Sequence, residues 1–494
     1  MPDLSKYQAE DAPPKAGAMI NTFRSFGYNL RTAIADIIDN SISAGSKNIR
    51  VNYTWLGAES TVSILDDGSG MNLTELIDAM TAGSKNPEDE RDKYDLGRFG
   101  LGLKTASFSQ CKILTVATKQ SESEIIKRCW NLDFVNSSQN WTLLNYISDE
   151  THLDDLQKLP CGTLVLWEAM DRLVGNSLES NEAVRKVFLQ DFELVEKHLS
   201  MVFHRYLENK KIKIFINNLE IKAWNPFLKG EKGRQLVAEE KVANERVKIK
   251  CYVMPHASML SEEGRKEGGG TEGWYAQQGF YIYRNERLLV AGDWLGLFPK
   301  NEHYKLARIL VDIPNSMDSD WKIDIKKSTA IPPLYLLEDL YKKGLTTRMV
   351  AADVHRFRAE QIIRNSETSS QNFEFIWSIS TSRDGTKNYK INKNHSLIQK
   401  LIAADNVSKK EFSQFLKIIE ESLPIELIIQ NHSDNPEVHE LREKVGELDT
   451  NTIEIAKKMY ASLKASGVSH EIAIKQIFNI EPFNHYKELI EYFN

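Results

Sequence analysis

Residues 33–45 read AIADIIDNSISAG, and the reading of the first half of the chain starts from them. On an α-helix Asp36 and Asn40 stand four apart and share a face. Ile34, Ile37, Ile38 and Ile42 form an apolar stripe on the other side that can hold this face against a core. A carboxylate and a carboxamide so placed suit two jobs. Asn40 can offer an oxygen to Mg²⁺, a hard cation that prefers oxygen ligands, and Asp36 can orient and deprotonate a water. Asp39, three residues on, is expected to point to a different side and to be the poorer base.

Three further segments extend the pattern. In ILDDGSGMN, residues 64–72, an apolar strand ends in an acid and turns at Gly68 and Gly70. A carboxylate at a buried strand end can accept the exocyclic amine of adenine, and the glycines let backbone come close to a base. Asp66 is the candidate by spacing. In LGRFGLGLKTAS, residues 96–107, Gly97, Gly100 and Gly102 lead into an apolar helix, so that backbone amides form an anion cradle. Lys104 in its first turn can add positive charge. The spacing is not that of a Walker A loop, nor of a Rossmann turn, since a polar loop and not the first strand precedes it. In CGTLVLWE, residues 161–168, Gly162 and Thr163 open a strand, and the hydroxyl can join Asp66.

Periodicity places helices at 29–44, 73–80 and 101–109. It places strands at 49–55, 62–64, 112–119, 125–133, 141–147 and 163–167, with a mobile loop at 82–96. The mixture implies an α/β sandwich on a largely antiparallel sheet. A helix over 181–207 leads to strands at 212–216, 247–253, 279–290, 307–313 and 321–325, closed by a helix over 334–364. The tail opens with a hairpin at 373–391 and continues as short helices.

Composition sets outer bounds. The chain has 494 residues with 63 basic and 69 acidic side chains, a formal charge of -6, so it carries no overall basic signature for nucleic acid. Cys111, Cys129, Cys161 and Cys251 lie far apart with no C-x-x-C pair, which argues against zinc and disulfides. No stretch reaches the roughly 18 apolar residues of a membrane span. A cytoplasmic protein with no membrane partner is expected.

Together, in this order, the four segments resemble the nucleotide-binding boxes of the GHKL ATPases, the superfamily of gyrase B, heat-shock chaperones, histidine kinases and MutL. The resemblance covers residues 15–169 and implies a Bergerat α/β sandwich that binds ATP and Mg²⁺. It gives Asp36 the water-activating position, Asn40 the magnesium position, and Asp66 and Thr163 the adenine. Gly68, Gly70 and Met71 then shape the base pocket. Gly97, Phe99, Gly100, Leu101, Gly102 and Lys104 bound the phosphates, and Ser84 and Lys85 resemble the serine and lysine of MutL-like lids. Hydrolysing members usually have glutamate where this chain has Asp36, which is shorter by about 1.5 Å, so slow turnover is expected.

QGFYIYRNERLLVAGDWLGL, residues 278–297, resembles a stretch of the transducer domains of MutL and microrchidia-type ATPases. In such domains a strand-end lysine reaches the γ-phosphate. Here Lys327, ahead of Lys326, is the candidate, an ammonium that suits phosphate as a point charge. The expected organisation of this α+β chain is an arm at 1–15, a GHKL domain at 16–180, a transducer-like domain at 181–365 and a mainly helical module at 373–494. The resemblance implies an ATP-dependent homodimer closing on DNA, in phage defence, restriction or DNA processing, with nuclease or methylase partners encoded beside it. The alternative is a chaperone-like ATPase that remodels proteins through the tail. Lys210, Lys211 and Lys213 are candidates for phosphate contact in the DNA reading.

Overall fold

Asn29 begins the central helix as its N-cap, accepting the Thr32 amide at 2.9 Å. The helix, α2 (Leu30–Ser43), follows α1 (Ala16–Arg24). The chain then forms β1 (Asn48–Thr54), β2 (Thr61–Asp66) and α3 (Leu73–Met80). In α3, Asn72 and Glu75 satisfy each other's backbone amides, a reciprocal cap written in the sequence as N-L-T-E. Next come α4 (Gly102–Phe108), β3 (Ile113–Lys119), β4 (Ile126–Asn131), α5 (Leu132–Ser138), α6 (Asp154–Gln157) and β5 (Gly162–Glu168).

The computed structural model describes residues 10, 14–84, 101–231, 233–256, 259–324, 327 and 329–364, with 355–364 as backbone only. It also describes the backbone of 377–381 and 387–391, then 392–395, 398–399, 412–413, 416–417, 419, 450–465, 467–480, 483 and 486–493.

The first sheet has the order β4-β3-β5-β2-β1-β6-β7, with β6 (Lys213–Ile216) and β7 (Leu219–Glu220) taken from beyond residue 180. Only the β1–β6 pair is parallel. The main core, on one face of this sheet, includes Ile34, Ile38, Ile64, Phe108, Trp167 and Phe192. A smaller cluster of Leu65, Ala117, Leu164 and Leu166 with Ile147, Leu153 and Leu156 is separate from it. Adjacent residues of β3 and β5 fall into the two clusters by turns, so both strands are buried along their length and not alternately. Residues 141–147, expected as a strand, give only a single bridge between Cys129 and Leu144.

The helix expected over 181–207 breaks at Phe203 into α7 (Glu182–Val202) and α8 (His204–Glu208). A second sheet of order β11-β10-β12-β9-β8 follows. It is built from β8 (Gln235–Val242), β9 (Val247–Val253), β10 (Gly279–Arg284), β11 (Arg287–Asp293) and β12 (Ala307–Ile313). Short α9 (Glu262–Gly269) and α10 (Gly273–Ala276) precede β10. The β10–β11 hairpin turns on Asn285 and Glu286, both with positive φ (46° and 67°), a two-residue turn whose twist matches its strands. Trp321–Asp324 is not the expected strand. Lys322 has φ 43°, so the chain turns there, although Trp321 and Ile323 are buried as their alternation suggests. The helix α11 (Leu334–Arg364) has the span expected of it.

Residues 1–351 and 352–494 are two compact units. In the second, β13 (Trp377–Thr381) pairs antiparallel with β14 (Lys387–Ile391). The helices Thr450–Ala465 and His470–Phe478 bury Ala456, Met459, Ile477 and Phe483 in a core of their own. No helix among the described residues is long and apolar enough to cross a membrane.

Candidate functional site: a nucleotide pocket with a buried charge cluster

The β2 end carries two consecutive acids that do different work. Asp66 is buried, accepts the Ser41 hydroxyl at 2.7 Å and takes the Gly68 amide at 2.9 Å. Burial pushes its pKa up, and these bonds oppose that. Asp67 faces the start of β1, where it accepts from Ser46, Lys47 and Asn48. Partial burial pushes its pKa up, but these bonds outweigh it and the net shift is downward. Asp67 is thus a turn-fixing residue, which leaves Asp66 free to face a ligand.

Register brings two threonines to the β2 end. Asp66 pairs with Thr163 across β2–β5, and Thr163 pairs with Thr118 across β5–β3. The Thr118 and Thr163 hydroxyls lie 3.0 Å apart, and Thr118 Oγ1 accepts the Met71 amide at 3.0 Å. Thr118 is a residue that sequence reading missed, because only sheet order brings it here. A Cβ at Gly70 would lie 2.0 Å from the Lys119 carbonyl oxygen, and φ there is +68°, so only glycine fits.

On α2, Asp36 is buried and Asn40, one turn on, is exposed. Asp36 Oδ2 accepts the Tyr28 hydroxyl at 2.7 Å. A Cβ built on Gly102, the first residue of α4, would stand 3.8 Å from that oxygen. The acid of the 33–45 segment therefore faces the glycine-led helix of the 96–107 segment. A family model described as histidine kinase-, DNA gyrase B-, and HSP90-like ATPase matches residues 28–163. That segment is a GHKL ATPase domain.

Similarity to individual proteins is confined to short stretches. The chain is 30% identical over 89 residues to ATPase morc-1 of Caenorhabditis elegans, covering 18% of this chain and 10% of that protein. It is 38% identical over 90 residues to the DNA mismatch repair protein MutL of Thermoanaerobacter sp. strain X514, covering 18% and 14%. It is 31% identical over 101 residues to MutL of Koribacter versatilis, covering 19% and 16%. The matches thus span well under a fifth of each relative's length.

The second sheet and the segment that follows it reach back to α2 through two cations. Arg287, the first residue of β11, donates Nε to Asp39 Oδ1 at 2.8 Å. Lys327 donates Nζ to Asp39 Oδ2 at 2.7 Å and lies 3.3 Å from Asp36 Oδ1. Arg287 Nη2 is 3.6 Å from the same Asp36 oxygen. All four side chains are buried, at 1% exposure for Asp36, 0% for Asp39, 3% for Arg287 and 9% for Lys327. Two acids and two bases cancel, which a desolvated cluster requires. Asp39 therefore does not point elsewhere: it joins Asp36 on the face toward the second sheet. Burial raises the Asp36 pKa, Lys327 opposes it, Asp39 adds to it, and Arg287 and Tyr28 oppose it. His198 on α7 is held neutral beside the cluster, pushed down to about 3 by burial, Arg287 and Arg31.

Other expected residues take varied places. Lys104 is buried and donates Nζ to the Ala79 carbonyl at 2.8 Å, in the last turn of α3. Met71 and Leu101 are half-buried against the main core, and Ser84 is exposed. Leu101 also lines an apolar cavity of about 720 Å³ with Phe23, Ile77, Trp130 and Trp141, to which Asp36, Asp66 and Thr163 do not contribute. Lys85, Gly97, Phe99, Gly100 and Lys326 lie outside the described residues. Lys211 and Lys213 pair with Glu286 and Glu220.

Among the described residues no three His, Cys, Asp or Glu side chains converge into a metal cage. Magnesium fits this chain differently, since it keeps waters and takes one or two protein oxygens plus phosphates. The exposed carboxamide of Asn40, one turn from Asp36, is a suitable oxygen donor.

Proposed function

We propose that the chain is a slow, magnesium-dependent ATPase whose nucleotide gates the closure of two copies around DNA. The observation that carries this reading is the meeting of Arg287, from the second sheet, and Lys327, from the segment after it, with the two acids of α2. A lysine held there by carboxylates is placed to exchange them for the γ-phosphate, a tetrahedral oxyanion of higher charge.

In this reading Asp66, with Thr163 and Thr118, receives the adenine edge, and Asn40 holds the magnesium. The ion, when bound, neutralises charge on the phosphates. Asp36 takes a proton from water as the water oxygen bonds to the γ-phosphorus. The bond from that phosphorus to the bridging oxygen breaks, and its electrons leave with ADP. Lys327 follows the γ-phosphate and moves the second sheet relative to α2, so that bound and spent nucleotide correspond to different domain arrangements. Aspartate in place of glutamate shortens the base, and misplacement near 1 Å can cost on the order of a hundredfold in rate.

The DNA part is supported by the kind of relative that matches, two MutL proteins named for DNA mismatch repair. Sedimentation velocity with a non-hydrolysable ATP analogue tests the closure. A dimer with the analogue and a monomer without it is expected, together with duplex DNA binding that weakens steeply with salt. A monomer under both conditions, with ATP turnover indifferent to DNA, would remove the clamp.

A further inference from the structure

We propose that Tyr28 is a positioning residue for the water-activating carboxylate of Asp36, an assignment that rests on the ATPase reading above. Its phenol donates to Asp36 Oδ2 at 2.7 Å in a buried setting. The other carboxylate oxygen, Oδ1, faces Lys327 at 3.3 Å. With one oxygen held by a neutral donor and the other beside a cation, the plane of the carboxylate is set. The oxygen held by Tyr28 is the one that faces the start of α4, 3.8 Å from a Cβ built on Gly102.

Tyr28 is itself fixed from α4 and the turn after it. The Thr105 side chain sits beside the phenol, and Gln110 Nε2 donates to the Tyr28 carbonyl at 3.2 Å. The orientation of Asp36 is thereby tied to the helix that opens at the phosphate end of the pocket. Such a tie matters more for aspartate than for glutamate, because the shorter arm cannot reach a misplaced water. Burial and the neighbouring Asp36 push the phenol's pKa up, so Tyr28 stays protonated and keeps its proton to donate to Asp36.

Tyr28→Phe removes one oxygen and keeps the ring in its place. Single-turnover hydrolysis of pre-bound ATP reads the chemical step only in chains that bind nucleotide, so unfolded protein does not contribute. The expected result is a rate lower by roughly 10- to 100-fold with ATP affinity, measured by calorimetry, within about threefold of the parent. A rate within twofold of a parent that hydrolyses ATP, or rate and affinity lost in equal proportion, would overturn this role alone. A parent that binds ATP and hydrolyses none would remove the ATPase reading and this role with it.

Discussion

Asp36→Asn is expected to lower ATP turnover by roughly 10²- to 10⁴-fold while leaving ATP affinity within about threefold. Asparagine keeps the size of the side chain and an oxygen for the Tyr28 hydroxyl, which Asp36 accepts at 2.7 Å, but it cannot take a proton from water. Lys327 keeps Asp39 at 2.7 Å, so the charge cluster loses one member without dispersing. Asp66 and Thr163, the proposed adenine contacts, lie at the end of another element and are untouched. The sign of the pH dependence follows. Burial is the largest influence on Asp36 and raises its pKa against Lys327, Arg287 and Tyr28. The base works ionised, so parental kcat should rise with pH through that raised pKa and level off above it. The limb should lie above the usual carboxylate value of about 4. An Asp36→Asn protein with parental turnover, or a parent whose rate is flat from pH 4 upward, would remove Asp36 as the base.

Asp39→Ala should be the most damaging single change to stability, costing about 3–5 kcal/mol. Asp39 is fully buried and receives both Arg287, at 2.8 Å, and Lys327, at 2.7 Å. Without it two buried cations share one acid, Asp36, whose Oδ1 already makes no well-aligned hydrogen bond. The loss is a large part of the roughly 5–15 kcal/mol that holds a domain folded. It falls where Arg287 and Lys327 meet α2. Urea unfolding followed by tryptophan fluorescence measures it, since Trp167, Trp294 and Trp321 are buried in the same 1–351 unit. A midpoint equal to the parent's would mean that the cluster contributes little to stability.

How much of this was legible in the sequence depends on the range of the interaction. Helix α2 declares its start through Asn29, and α3 through Asn72 and Glu75, because caps act within a few residues. The strand ending in D-D-G-S-G was legible as a strand and turn, and only coordinates separate Asp66, buried against Ser41, from Asp67 on the turn. Asp39 was misread. Residues three apart on a helix are neighbours, and its partners Arg287 and Lys327 stand 248 and 288 residues away, beyond any local pattern. Trp321 and Ile323 alternate as a strand would, yet the backbone turns at Lys322, because burial of alternate residues does not require a ladder. Thr118 was missed because it meets Asp66 and Thr163 only across the sheet, whereas Tyr28 lies eight residues before Asp36, ahead of the helix, where no repeat of period 3.6 links the two.

The central proposition is that α2, the β2 end and α4 enclose one magnesium–triphosphate site, and calorimetric titration of the full chain with Mg-ATP tests it most directly. One site per chain is expected, weakened about 10- to 150-fold by Asp66→Asn, the value of one hydrogen bond to a charged group. A folded chain that takes up no heat of nucleotide binding, or an Asp66→Asn variant that binds as the parent does, would contradict it.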